Sequence, residues 1–163
     1  MSEIIGGRYV QGGYVRSVIM RPFNHIGPGQ NDRFVASSFA KQLAAISKGK
    51  AAPVIKVGNL DAKRDFSDVR DIVRAYRLGA LRGDGIYNLG AGKSVRVHDV
   101  LDLLIEVSGA KVTIENDPAR MRPAEVPEFY GIYAKAKRDF GWEPTIPLRD
   151  SLRDLYRYWM GVV

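Results

Sequence analysis

The stretch Arg21-Pro22-Phe23-Asn24-His25-Ile26-Gly27-Pro28-Gly29-Gln30 decides the fold. Ahead of it, Val15 to Met20 is apolar and β-branched in character, which predicts a strand. Pro22, Gly27, Pro28 and Gly29 then punctuate the chain, so the strand stops and turns. The segment beyond the strand is too rigid and too polar to be a mere connection. In open α/β sheets, ligands collect just beyond the carboxyl ends of strands, which puts Asn24 and His25 where a ligand would be met. Only fourteen residues precede Val15, and no glycine-rich strand-to-helix turn for a dinucleotide lies among them. The usual apparatus for holding a nicotinamide cofactor is therefore not expected on this chain.

Outward from this edge, apolar periodicity predicts the other elements. Glu3 to Gln11 has the character of the last turns of a helix, stopped by Gly12-Gly13. A helix from about Phe34 to Lys48 has an apolar face of Phe34, Phe39, Leu43 and Ile46, and Pro53 to Val57 is a short strand. After a loop from Gly58 to Asp65, Ser67 or Asp68 can cap a helix whose buried stripe is Val69, Ile72, Val73, Tyr76 and Leu81. Ile86 to Leu89 predicts a strand, Gly90-Ala91-Gly92 a turn, Ser94 to Val97 an extended piece, and His98 to Ser108 a helix. Val112 to Glu115 is another strand. The segment from Asp117 to Gly131, with three prolines and two arginines, is long for a connection, and such loops are usually functional or disordered. Helices near Lys135 to Phe140 and Pro147 to Met160 close the chain, the second turning Leu148, Leu152, Leu155, Tyr158 and Trp159 inward.

A chain of 163 residues suffices for one domain with a sizeable core. Its apolar runs are short and interrupted, which excludes a transmembrane helix or a secretory signal and predicts a soluble, cytoplasmic protein without a membrane partner. No cysteine occurs, which rules out disulfides, thiolate nucleophiles and thiolate-bound zinc; the two histidines lie far apart, so no metal site is expected. The net charge of +7 favours an anionic partner. Basic residues are interleaved with Asp and Glu rather than run together, which suits point recognition of a small anion better than a nucleic-acid groove.

Three polar constellations follow predicted strands: Asn24-His25, Lys63-Arg64-Asp65, and Arg120 through Glu125. Their convergence would make one anion site. A pyrophosphate asks for two or three charge-assisted donors, and arginine supplies them from a planar fork, so Arg64 and Arg122 are the candidates. Glu125, held between Pro123 and Pro127, could accept hydrogen bonds from vicinal ribose hydroxyls. Each residue has a plainer role open to it. Arg64 and Asp65 can form a surface ion pair, Asn24 can serve a turn, His25 can make a local hydrogen bond, Arg120 and Arg122 can be solvated, and Glu125 can pair with either.

Taken together, order and spacing resemble the substrate-binding part of the extended short-chain dehydrogenase/reductase (NAD-dependent epimerase/dehydratase) family, closest to the GDP-6-deoxy-mannose reductase and GDP-mannose 4,6-dehydratase branch. The resemblance rests on Arg21 to Gln30, on Gly58-Asn-Leu-Asp-Ala-Lys-Arg-Asp-Phe66, on Asp117-Pro-Ala-Arg-Met-Arg-Pro-Ala-Glu-Val126 and on Gly141-Trp-Glu-Pro144, and runs from about Val15 to Trp159. It implies that Asn24 contacts the sugar nucleotide, Val35 packs against guanine, Arg64 and Arg122 surround the diphosphate, and Glu125 meets the ribose. Two positions depart from the family pattern: Ser38 stands where dehydratases often have lysine, and Gly131-Ile-Tyr-Ala-Lys135 lacks the usual polar residues.

The resemblance further implies an α/β fold, as the C-terminal fragment of an extended short-chain dehydrogenase/reductase: one Rossmann-sheet strand plus the small α/β substrate-binding domain. Residues 1–163 are then a single substrate-binding domain, with 1–31 the remnant helix and strand of a truncated Rossmann domain. Complete members carry NAD(P), a Gly-x-x-Gly-x-x-Gly loop and a Tyr-x-x-x-Lys pair. None precedes Val15, and neither Tyr9 nor Tyr14 is followed four residues later by lysine. The expectation is a chain that binds a GDP-sugar or GDP, has no cofactor or catalytic residue of its own, and does not turn over alone. Its partner would be a second copy or a missing N-terminal Rossmann half. A non-catalytic nucleotide-sugar-binding or regulatory module, or part of a dehydratase or epimerase, are the alternatives.

Overall fold

Helix α1 (Ser2–Gln11) runs out at Gly12-Gly13, where Gly13 enters the left-handed region at φ 70°. The structure, a computed structural model, describes residues 2–15, 17–121 and 126–163. Arg21 ties the helix to the next strand, its Nε donating to Glu3 Oε1 at 2.8 Å. That strand, β1 (Val18–Pro22), starts later than the expected Val15. Its partner explains why: β6 (Gly85–Leu89) offers a parallel ladder only from Val18 opposite Gly85 to Pro22 opposite Leu89, and Tyr14 and Val15 stay exposed.

The buried apolar residues form two cores. The larger is built on three helices, α2 (Val35–Ser47), α4 (Val97–Ser108) and α6 (Leu148–Val162), which pack on one another. Phe39, Leu43, Val100, Leu101, Leu104, Leu152, Leu155 and Trp159 meet inside, each at the helical spacing that the sequence predicts. Burying such side chains contributes roughly 1.5–3 kcal/mol apiece, offset by the entropy of ordering them. Strand β3 (Val54–Val57) lies along this core with Ile55 and Val57 inward and Lys56 outward, and pairs in parallel with β8 (Thr113–Asn116).

The smaller core joins β1 and β6 to α3 (Val69–Arg82) and α5 (Ala134–Phe140). Ile72, Ala75, Tyr87, Leu89, Ala136, Phe140 and Trp142 are its buried members. Gly79 makes room for Met20: a methyl group on it would lie 1.7 Å from Met20 Cε, the far end of a flexible side chain that would have to swing aside. The expected stripe on α3 is therefore half right. Ile72 is buried, but Val73 is 58% exposed, Tyr76 44% and Leu81 64%. The reason is that α3 is apolar on two adjacent faces. The face of Ile72, Ala75 and Gly79 packs, and its neighbour lies beside Val18 and Met20 as an open groove shared with Tyr76 and Ala80.

Short strands stitch the loops over the cores. Strand β2 (His25–Ile26) pairs in parallel with β5 (Ser67–Asp68). Strand β4 (Lys63–Arg64), inside what the sequence presents as a plain loop, lies between β7 (Val95–Arg96), antiparallel, and β9 (Glu128–Phe129), parallel. Such two-residue ladders arise from tertiary placement, and no periodicity announces them. Among the described residues, no helix is long and apolar enough to cross a membrane.

Candidate functional site

Past Pro22 the chain leaves the sheet, and the next loop frames a cleft of about 770 Å³ at the carboxyl end of β1. Asn24 and His25 line it together with Arg64, Phe129 and, at the start of α2, Phe34, Val35 and Ala36. The loop is fixed by a relay reaching out of the larger core. Trp159 Nε1 donates to Ser37 Oγ at 2.9 Å, Ser37 Oγ to the Gln30 carbonyl at 2.7 Å, and Gln30 Nε2 to the His25 carbonyl at 2.7 Å. A buried tryptophan thus anchors the loop, which the sequence does not disclose.

The side of the cleft that carries Arg64 is anchored from behind. Asp65 is fully buried, so it makes no surface ion pair with Arg64. Its carboxylate accepts from the Ala91 amide at 2.7 Å, the Gly131 amide at 3.1 Å and the Ser67 hydroxyl at 3.5 Å. Burial pushes the carboxyl above its ordinary value, while the Ala91, Gly131 and Gly92 amides and the Ser67 hydroxyl act to lower it. Arg64 donates to its neighbouring Lys63 carbonyl at 2.7 Å. Phe23 stacks on Phe129, ring centres 4.7 Å apart.

A second cleft, of about 430 Å³, adjoins the first and shares Phe34, Val35 and Arg64 with it. Ser38, Lys56, Asn59 and Arg120 are among its other lining residues. Arg120 is not simply solvated: Nη1 donates to Ser38 Oγ at 3.1 Å and Nε stands 3.3 Å from Asp117 Oδ2. His25 has the local bond expected of a loop histidine, with Nδ1 3.0 Å from the Phe23 carbonyl. Of the sequence-predicted site residues, the structure brings Asn24, Val35 and Arg64 to one cleft. Arg122 and Glu125 lie outside the described residues.

The sequence offers Asp68 as a helix cap, and the structure bears this out, but the burial of Asp65, Asp68 and Asp71 is not legible from it. Asp68 caps α3 by accepting the Arg70 amide at 2.8 Å, and takes the Ser151 hydroxyl at 2.6 Å from α6. Asp71 accepts the Thr145 and Ile146 amides at 2.9 and 3.0 Å, tying α3 to the chain after Trp142. The only advance signal was position, since all three fall within seven residues of a strand-to-helix junction. A further correction concerns the Tyr-x-x-x-Lys spacing, which does occur once, at Tyr133 and Lys137. Neither is placed to serve the cleft: Tyr133 packs edge-on against Trp142 and Lys137 Nζ meets Glu143 Oε2 at 2.5 Å.

Gly90-Ala91-Gly92 follows β6 and presents amides of the kind that cradle phosphate, but those amides face the Asp65 carboxylate instead. The amides of this turn are thus taken up by Asp65 and do not fit a dinucleotide pyrophosphate there. On α4, His98 Nδ1 lies 2.9 Å from Asp102 Oδ2, an exposed contact one helical turn apart.

Parallel β1 and β6, flanked by α3 and α5 and opening at their carboxyl ends into a two-part cleft, define an α/β protein of the extended short-chain dehydrogenase/reductase type. The chain belongs to the GDP-mannose 4,6-dehydratase family, whose model matches residues 1–155. It is 38% identical over 146 residues to the GDP-6-deoxy-D-mannose reductase of Pseudomonas aeruginosa, covering 88% of this chain and 48% of that protein. It is 29% identical over 155 residues to the GDP-mannose 4,6-dehydratase of Sinorhizobium fredii, covering 83% and 44%. The solved structure of RMD from Pseudomonas aeruginosa complexed with NADPH superimposes with a TM-score of 0.89 at 34% identity, covering 96% of this chain and 52% of that one. The chain spans about half the length of the curated relatives it matches.

Proposed function

We propose that this chain forms the sugar-nucleotide-binding part of a GDP-4-keto-6-deoxymannose reductase-like protein, with a GDP-sugar as ligand. The observation that carries the reading is that Asn24, at the mouth of β1, and Arg64, on β4, face one cleft although forty residues separate them. Asn24 offers an amide to the sugar, Val35 an apolar surface to guanine, and Arg64 a guanidinium to the diphosphate, joined by Arg122 there and by Glu125 at the ribose. Kinship with a reductase and a dehydratase of GDP-sugars supports this choice of ligand.

Catalysis would belong to the assembled enzyme. The 163 residues hold no Gly-x-x-Gly-x-x-Gly, and their one Tyr-x-x-x-Lys pair is engaged away from the cleft. The chain by itself would bind without turning over, and further polypeptide or a second copy would cover the apolar groove of Val18, Met20, Tyr76 and Ala80. A dehydratase role is the second reading, favoured by the family whose model matches residues 1–155.

Calorimetry with GDP-mannose, GDP and UDP-glucose tests the binding claim. The expected result is binding of both guanine nucleotides, with UDP-glucose at least about tenfold weaker. No heat with any of them, from folded protein, overturns it. Consumption of NADPH with a 4-keto GDP-sugar by this chain alone would overturn the claim that it does not turn over.

A further inference from the structure

One wall of the cleft is set by a buried charge. Arg64 and Phe129 occupy directly paired positions on β4 and β9, and both face the ligand space. Behind them, the Asp65 amide donates to the Phe129 carbonyl at 3.0 Å, while the Asp65 side chain gathers the Ala91 amide, the Gly131 amide and the Ser67 hydroxyl. No room is left around this knot. A methyl group on Gly90 would lie 2.5 Å from Asp65 Oδ2, and one on Gly131 would lie 2.4 Å from the Phe23 ring, which itself stacks on Phe129.

We propose that Asp65 is the positioning residue of the cleft. Its one carboxylate ties β4, the Gly90–Gly92 turn and Gly131 together, and so fixes how far the Arg64 guanidinium stands from the Phe129 and Phe23 rings. A carboxylate suits this task because it offers two acceptor oxygens and no donor, so it satisfies amides from two separate loops at once. Asparagine would turn an NH₂ group toward one of those amides and release that loop. A buried anion costs stability relative to an apolar filler of the same volume, and here it returns a defined register between β4 and the chain that follows β9. Asp71 supplies an internal comparison. It is an equally buried aspartate that also takes two loop amides, but the residues it holds, Thr145 and Ile146, line neither cleft, whereas Arg64 and Phe129 beside Asp65 do.

The consequence for ligand affinity rests on the reading of the cleft given above; the consequence for the loops does not. The test uses the 163-residue chain with Asp65→Asn, Asp71→Asn and Gly131→Ala, each checked for folding by circular dichroism. Two readouts are taken: amide hydrogen exchange without ligand, and calorimetric affinity for GDP-mannose. For Asp65→Asn, exchange at Ala91 or Gly131 rises at least about tenfold and affinity falls about tenfold, the weight of one well-placed charge-assisted contact. For Asp71→Asn, exchange rises at Thr145 and Ile146, stability falls, and affinity stays within about twofold. Gly131→Ala keeps Asp65 but displaces Phe23, and it weakens binding severalfold.

The proposal is overturned if folded Asp65→Asn binds within about twofold of the parent chain, or if Asp71→Asn weakens binding as much. Should Asp65→Asn not fold, undiminished binding by Gly131→Ala overturns it. Should the parent chain bind no GDP-sugar, the cleft reading falls on its own, and unchanged exchange at both Ala91 and Gly131 in Asp65→Asn is then the result that sinks the positioning role.

Discussion

Arg64 and Phe129 stand opposite one another in the register of β4 and β9, so a guanidinium and an aromatic ring line the same side of one cleft. This pairing puts a fixed positive charge beside an apolar surface, the combination that a nucleoside diphosphate requires. Arg64→Gln keeps hydrogen-bonding capacity and removes the charge. It is expected to weaken GDP-mannose binding by about 1.5–3 kcal/mol, or roughly ten- to a hundredfold, with the thermal midpoint little changed. Arg64→Lys falls between, because an ammonium is a point charge that cannot reproduce the planar fork. Calorimetry at fixed ionic strength measures both. Equal affinities for GDP-mannose across the three proteins would remove Arg64 from the site.

The three buried aspartates make stability, as well as the cleft, depend on single side chains. Asp71 is the clearest case: both carboxylate oxygens are used, Thr145 Oγ1 donates at 3.0 Å in addition to the two amides, and Trp142 Nε1 donates to the Asp71 carbonyl at 2.8 Å. Asp71→Ala leaves two amides without their acceptor, at about 1–3 kcal/mol each. The urea unfolding midpoint should fall by the equivalent of about 2–5 kcal/mol. Trp142→Phe, which loses the indole donor and some volume in a fully buried position, should cost about 2–3 kcal/mol in the same measurement.

Acid sensitivity should be concentrated at Asp68. Burial raises this carboxyl, but the Arg70 side chain, the Ser151 hydroxyl and the Arg70 amide together outweigh burial and hold it below its ordinary value of 3.8. With its folded value lowered, Asp68 contributes stability that is fully present above that ordinary value and is lost as the pH falls through the folded value. Asp68→Asn should therefore be clearly less stable than the parent at pH 7, and the gap should close as the pH falls below about 4. Asp65 works in the opposite sense: its raised value lets the native state hold the proton more tightly, so its contribution weakens as the pH rises from 3.8 through the folded value. Urea midpoints at pH 7 and pH 3 separate the two. A gap for Asp68→Asn that is constant with pH would show that Asp68 does not carry the acid limb.

The legible part of this molecule is the part written in periodicity. Phe39, Leu43, Leu101, Leu104, Leu152 and Leu155 recur at helical spacing, and α2, α4 and α6 form where that spacing predicts. The edge after β1 was legible as well, because Pro22, Gly27, Pro28 and Gly29 leave little choice of conformation. The failures have a common cause. Val73, Tyr76 and Leu81 satisfy helical periodicity as well as Ile72 does, and only tertiary placement decides which of two adjacent faces is covered. Asp65 beside Arg64 has the sequence of a surface ion pair, yet the two side chains point to opposite sides of a strand, one into the core and one into the cleft. The short ladders of β4, β7 and β9 are too brief to carry a pattern of their own.

Gly58 offers a last test, of the second cleft. It follows β3, and a methyl group built on it would lie 2.2 Å from the Arg120 carbonyl oxygen and 2.8 Å from the Arg120 carbonyl carbon. Those atoms are backbone and cannot swing aside as a flexible side chain would. Gly58→Ala must therefore push away the short 3₁₀ turn at Pro118–Arg120, and with it the guanidinium that reaches Ser38. The expected cost is about 1–3 kcal/mol in unfolding free energy, the usual range for overpacking. If the second cleft takes part of the nucleotide, affinity for GDP should fall together with affinity for GDP-mannose, because the sugar is not what the displaced wall meets. Ser38→Ala is the milder companion: it removes the acceptor for Arg120 without moving the turn and should leave stability within about 0.5 kcal/mol of the parent. Unchanged stability and unchanged nucleotide affinity in Gly58→Ala would mean that the turn does not rest on Gly58.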